Sequence, residues 1–157
     1  MDSLWAPWRI QYILREKEPG CFLCRKPQED ADQRNHILLR DRACFALLNA
    51  YPYNPGHLMV VPYQHTGALD DLAEPTLAEL MLLTRRCQQI LTRALKPDGF
   101  NVGLNLGRVA GAGVLDHVHV HIVPRWEGDT NFMPVLAATR VLPQALDEMY
   151  ETLRKSV

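Results

Sequence analysis

Three histidines stand at alternate positions in the run His117-Val118-His119-Val120-His121-Ile122-Val123-Pro124. In an extended chain, side chains at i, i+2 and i+4 share one face. The run therefore predicts a strand over 117–123 with His117, His119 and His121 in a row on one side and branched aliphatics on the other. The β-branched residues favour that conformation, and Pro124 is expected to end or edge the strand. A row of imidazoles admits three readings: a polar face that titrates near neutral pH, a shared metal site, or nucleophilic catalysis. In the last, one ring attacks an electrophile while its neighbours orient it and hold the developing charge.

The stretch upstream favours catalysis. Asn101-Val102-Gly103-Leu104-Asn105-Leu106-Gly107 alternates like a strand, and Arg108-Val109-Ala110-Gly111-Ala112-Gly113-Val114 follows as a small-residue loop. Backbone can approach a ligand closely in such a loop, and its N–H groups can form an anion-binding concavity. A loop of this kind leading into alternating histidines reads as a phosphate cradle beside a nucleophile.

With the histidine run, Asn105, the glycine loop, Asn54-Pro55-Gly56-His57-Leu58-Met59-Val60-Val61-Pro62 and His65 in view, the sequence resembles the histidine triad (HIT) family of nucleotide hydrolases and transferases. The resemblance runs from about Cys21 to Trp126. Leu4-Trp5-Ala6-Pro7-Trp8-Arg9 and Pro124-Arg125-Trp126 are similar to the branch that contains bacterial diadenosine tetraphosphate phosphorylases. The resemblance implies that His119 attacks a nucleotide phosphorus to give a covalent nucleotidyl-histidine, which a second acceptor then releases. It also implies that the His117 carbonyl fixes the His119 tautomer. His121, Asn105 and the backbone of Gly111, Ala112 and Gly113 would contact phosphate, with Trp126 shaping the polyphosphate end. Phe22, Leu23 and Leu47 match positions that cradle the base. Asn49 stands where relatives carry an acidic ribose ligand, and Gly113 where phosphorylases often carry serine. Phosphate as acceptor makes the protein a diadenosine polyphosphate phosphorylase. Water would make it a hydrolase of phosphoramidates or dinucleoside polyphosphates. A zinc-dependent nucleotide-binding protein with little catalysis is the reading from another class, and a metallohydrolase using all three histidines as ligands is a further one.

Cys21-Phe22-Leu23-Cys24 can be a zinc knuckle, a redox pair or coincidence. Two thiolates half-fill a tetrahedral zinc, and the resemblance supplies His65 and His117 as the other two ligands of a structural zinc. No organic cofactor is expected. Cys44 and Cys87 fall on apolar faces, where a thiol behaves as a small hydrophobe.

The elements that must position these residues follow from pattern. Residues 36–39, 44–49, 57–62, 99–106 and 117–123 read as strands. Leu80, Thr84, Cys87, Leu91 and Ala94 recur at helical spacing across 75–96, opposite Glu79, Arg86, Gln89 and Arg93, with Pro75 suited to the first turn. Leu142, Leu146, Met149 and Leu153 predict a short C-terminal helix. His36 is expected to satisfy a strand end, and His57 to be structural with a polar partner. This order predicts an α+β domain over 21–157, a mainly antiparallel five-stranded sheet with two helices, behind an N-terminal arm over 1–20.

The chain has 157 residues, 47% of them apolar, and a net charge of −1 from 17 basic and 18 acidic residues. That suits one domain and argues against binding a nucleic acid polymer, while a small nucleotide needs only local positive potential. The sequence lacks an apolar run long enough to span a membrane and a secretion signal, so a cytoplasmic protein is expected. The resemblance implies a homodimer with the sheet extended across its interface.

Overall fold

The computed structural model of the protein describes residues 20–110, 113–114, 116–129 and 144–157. The N-terminal arm, Gly111, Ala112 and Leu142 lie outside them. Five strands form one sheet: β1 (Ile37–Arg40), β2 (Cys44–Leu48), β3 (Leu58–Pro62), β4 (Gly99–Leu104) and β5 (Val120–Arg125), in the order β1-β2-β3-β5-β4. Every neighbouring pair is antiparallel. The helices are α1 (Phe22–Arg25), α2 (Asp32–Asn35), α3 (Glu74–Leu95) and α4 (Leu146–Arg154), with short 3-10 turns at Lys26–Gln28 and Leu69–Asp71. The two helices expected from pattern are α3 and α4. The one-turn helices α1 and α2 are too short to leave a periodic signal.

The apolar runs of β2 and β3 are buried throughout because both faces of the sheet are covered. One face carries Cys44, Ala46, Leu48, Leu58, Val60, Val120 and Ile122 against Leu80, Leu83, Cys87, Ile90 and Leu91 of α3, and Met149, Tyr150 and Leu153 of α4. The other gathers Leu23, Ile37, Phe45, Leu47, Met59 and Val61. Alternation along β5 puts Val120 and Ile122 on the α3 face, so His119 and His121 take the opposite one. Burial of each such leucine or isoleucine contributes about 1.5–3 kcal/mol.

Several ends are fixed by particular bonds. Pro75 lies in the first turn of α3, and Lys96 closes the helix in the left-handed conformation at φ 48° with its N–H on Thr92 O. Glu79, expected on the solvent side, turns its carboxylate to the N–H groups of Ala43 (2.5 Å) and Cys44 (2.9 Å) and so caps the entry to β2. His36 closes α2 at φ 55°. Its ring reaches Asp147 of α4 (2.6 Å), and Tyr150 OH donates to Ile37 O (3.0 Å), so α4 is tied to the β1 edge.

Candidate active site

His117 and His119 precede β5 rather than belonging to it, although both rings lie buried beside the strand. The predicted strand over 117–123 is thus displaced to Val120–Arg125. β3 ends at Pro62, which has no N–H for a ladder, and β4 ends at Leu104. The polar groups of 117–119 go elsewhere: Val118 N–H donates to Thr66 O (2.7 Å), and His117 Nε2 to Pro62 O (2.8 Å). At the far end the strand runs through Pro124 to Arg125. There β5 pairs with β4 alone, since its ladder with β3 stops at Ile122, so Pro124 edges the strand without ending it.

The partners of each ring determine where its protons sit, because a carbonyl oxygen only accepts and a backbone N–H only donates. His119 Nδ1 is 2.8 Å from His117 O, so Nδ1 carries hydrogen and Nε2 keeps its lone pair. His117 donates from Nε2, which leaves its Nδ1 lone pair open. His57 Nδ1 receives Tyr53 N–H at 3.1 Å and faces Asn49 Nδ2 at 3.4 Å, so it is an acceptor. His57 Nε2 therefore donates to His121 Nδ1 at 2.9 Å, and His121 in turn carries its hydrogen on Nε2. The result is an unprotonated Nε2 on His119 beside an N–H on His121, with ring centroids 4.7 Å apart.

Burial, and next the charge that His119 can carry, push the His121 imidazole down to about 4. Protonating its Nδ1 would also set two N–H groups facing each other across the bond to His57. His121 is therefore a neutral donor at physiological pH. Burial likewise lowers His117, opposed by its bond to the Pro62 carbonyl.

Behind this pair lies a group of metal-binding atoms. One donor atom from each of Cys21, Cys24, His65 and His117 falls within 4.8 Å of the others. His117 Nδ1 is 3.3 Å from Cys21 Sγ, 3.4 Å from Cys24 Sγ and 3.3 Å from His65 Nδ1, and Cys24 Sγ is 3.3 Å from His65 Nδ1. A tetrahedron with arms of about 2.0–2.3 Å has edges of about 3.3–3.8 Å. Spacing, chemistry and the free Nδ1 of His117 all suit a tetrahedral ion. His117 thus serves two clusters, one through its ring and the other through its carbonyl.

The remaining expected residues are placed unevenly. Leu23 and Leu47 are fully buried in the cluster on the histidine face, whereas Phe22 is exposed beside them. The Asn49 amide oxygen accepts Tyr51 N–H (2.9 Å), so the asparagine shapes its own loop. Asn105 directly follows β4, next to the Leu104–Val120 pair that ends its ladder with β5. Gly113 is described, while Gly111 and Ala112 lie outside the described residues. Trp126 is half-buried one residue past β5. His57 has the polar partner expected of it, and that partner is a member of the triad itself, with Tyr53 stacked over the His57 ring at 4.9 Å.

An antiparallel α+β sheet that presents a tautomerically fixed histidine pair next to a Cys2His2 group defines a class of small histidine-based site. Residues 30–128 match the HIT domain, and the chain belongs to the HIT family. It is 40% identical over 155 residues to AP-4-A phosphorylase of Mycobacterium tuberculosis, covering 93% of this chain and 79% of that one. The bis(5'-nucleosyl)-tetraphosphatase [asymmetrical] of Schizosaccharomyces pombe is 34% identical over 95 residues, 60% of this chain and 52% of that one. Among solved structures, a Zn-bound histidine triad family protein from Mycobacterium smegmatis superposes with a TM-score of 0.71 at 28% identity, over 87% of this chain and 92% of that one.

Proposed function

We propose that the protein is a nucleotide phosphorylase that cleaves diadenosine polyphosphates, converting diadenosine tetraphosphate and inorganic phosphate to ADP and ATP. One observation carries the chemistry: the His117 carbonyl bound to His119 Nδ1 leaves Nε2 as a nucleophile that needs no deprotonation. The substrate class rests on similarity to the M. tuberculosis phosphorylase over nearly the whole chain.

His119 Nε2 attacks the α-phosphorus, a P–N bond forms, and ATP leaves with the electrons of the broken P–O bond. Inorganic phosphate then attacks the adenylyl-histidine, a P–O bond forms, and ADP departs as His119 regains its lone pair. Splitting the transfer this way is what a covalent nucleophile accomplishes. His121 Nε2–H, Asn105 and the backbone of Gly111, Ala112 and Gly113 hydrogen-bond the phosphate oxygens, where stabilising charge is usually the largest single contribution. Phe22, exposed beside the buried Leu23 and Leu47, would flank the base, Asn49 would lie toward the ribose, and Trp126 would border the polyphosphate end.

Cys21, Cys24, His65 and His117 would hold a structural zinc ion, whose bound charge fixes the ligands that brace the HIT core. Donor spacing and chemistry support this, as does the Zn-bound relative. A cytoplasmic location belongs to the same proposal, because reducing conditions there would keep Cys21 and Cys24 available as metal ligands. β4 is an edge strand bearing exposed Val102, and two copies pairing there would extend the sheet into a homodimer. Analytical ultracentrifugation reads that directly. Among the described residues no helix is long and apolar enough to cross a membrane.

The reading is tested by trapping the intermediate. Diadenosine tetraphosphate labelled at its α-phosphates, mixed with enzyme and quenched in alkali, should leave label on the protein and none on His119→Ala. Equal labelling of the two proteins would place the nucleophile elsewhere.

A further inference from the structure

A polar cluster at the exit of β5 has no part in the chemistry proposed above. The Asp129 side chain is 11% exposed. Its Oδ2 accepts Arg125 Nε (2.5 Å), Asn54 Nδ2 (2.9 Å) and Trp126 N–H (3.2 Å), and its Oδ1 accepts Arg125 Nη2 (2.9 Å). Arg125 Nη1 continues to Asn101 Oδ1 on β4 at 2.6 Å. An ionised carboxylate offers acceptor sites only, enough for four donors, and bonds to it are roughly twice as strong as neutral ones.

Asn54 joins this cluster to the site. Its amide gives one hydrogen to Asp129 and the other to Pro124 O (2.9 Å), so the whole –NH2 bridges loop 49–57 and the end of β5. Asn54 O accepts His57 N–H (3.2 Å), and the residue before it, Tyr53, donates its own N–H to His57 Nδ1. The bond that selects the His57 tautomer is therefore made by the immediate chain neighbour of the residue Asp129 anchors.

We propose that Asp129 is a positioning residue for the His57–His121 pair: by anchoring Asn54 to the exit of β5, it holds Tyr53 N–H on His57 Nδ1. That bond in turn fixes the hydrogen of His121 on Nε2. The consequence for turnover rests on the phosphoryl-transfer role given to His121 above. The consequence for the tautomers does not. Asp129→Asn turns an N–H2 group toward donors that the carboxylate now receives, while Asn54→Ala cuts the same link and leaves the Arg125–Asp129 pair intact.

The experiment is nitrogen NMR of 15N-histidine-labelled full-length protein together with steady-state kinetics on diadenosine tetraphosphate. In the wild type, His57 and His121 each show a single Nε2–H tautomer. Asp129→Asn and Asn54→Ala should mix both tautomers while His119, held by the His117 carbonyl, keeps its own. kcat should fall at least about tenfold with little change in KM, less than the roughly 10²–10³-fold that outright loss of one donor to a transition-state oxyanion costs, because the donor is mispositioned and not removed. Asp98→Ala loosens the same turn by removing the acceptor of Glu127 N–H (2.8 Å) without touching Asn54, and should leave the His57 and His121 signals in place. Unchanged His57 tautomers in the Asn54→Ala protein overturn the proposal, as does scrambling of His119 along with the other two. Should the wild type fail to turn over diadenosine tetraphosphate, the proposed function fails while the tautomer measurement still decides the role of Asp129.

Discussion

Lowering the pH from 7 to 5 should cost this protein stability through His121 in particular. A ring with an unfolded value of 6.5 and a folded value of about 4 binds more protons unfolded than folded between those limits. Stability therefore falls as the pH drops through 6.5 toward 4. The full shift of about 2.5 units corresponds to about 3.4 kcal/mol, of which about 2 kcal/mol is lost between pH 7 and pH 5. The ring keeps some solvent contact, and screening trims the expected loss to about 1–2 kcal/mol. The comparison protein is His121→Asn, which retains an N–H donor and has no charge to gain. Both are unfolded in urea at pH 7, 6 and 5 with protein and metal concentrations fixed, so that every other titrating group contributes equally to the two curves. The wild type should lose about 1–2 kcal/mol more than the variant. Parallel curves would mean that His121 protonates freely in the folded protein. The neutral donor and the tautomer chain built on it would then be wrong.

If the Cys2His2 group holds the proposed zinc, a chelator or Cys24→Ser should lower Tm by several degrees in a thermal melt before it affects chemistry, and added zinc should restore only the chelated wild type. Gly56 sits at φ +76°, and a Cβ there would lie 2.6 Å from Leu95 Cδ1. Gly56→Ala should therefore cost about 1–3 kcal/mol in urea unfolding, since neither the backbone nor the α3 packing suits it. Leu91→Ala opens the core where α3 meets the sheet and should cost about 2–5 kcal/mol in the same assay. A loss under 1 kcal/mol for either, an amount usual for substitutions away from the core, would contradict the packing described.

The sheet and its long helix were legible because their signals are local. Alternate histidines, apolar runs bounded by Pro and Gly, and the stripe through Leu80, Cys87 and Leu91 each report a period within a few residues. The Cys2His2 group was reached through resemblance, because Cys21 and Cys24 lie more than ninety residues from His117 in the chain. His57 showed that limit most clearly: a histidine at the start of a strand carries no period, and its partner His121 is 64 residues away. Asn54 and Asp129 were hidden for the same reason, since both sit in turns whose composition announces only a loop. The displaced start of β5 had a cause beyond its own pattern, namely where β3 and β4 stop. Asn49 likewise shows its local role only in the structure, where its side-chain oxygen holds Tyr51 N–H.

The central claim is transfer of a nucleotidyl group from His119 to phosphate, and product analysis tests it most directly. The protein is incubated with diadenosine tetraphosphate, with and without inorganic phosphate, and the nucleotides are separated. ADP and ATP should form in equal amounts, and only when phosphate is present. AMP and ATP formed without phosphate would make water the acceptor and rule out a phosphorylase.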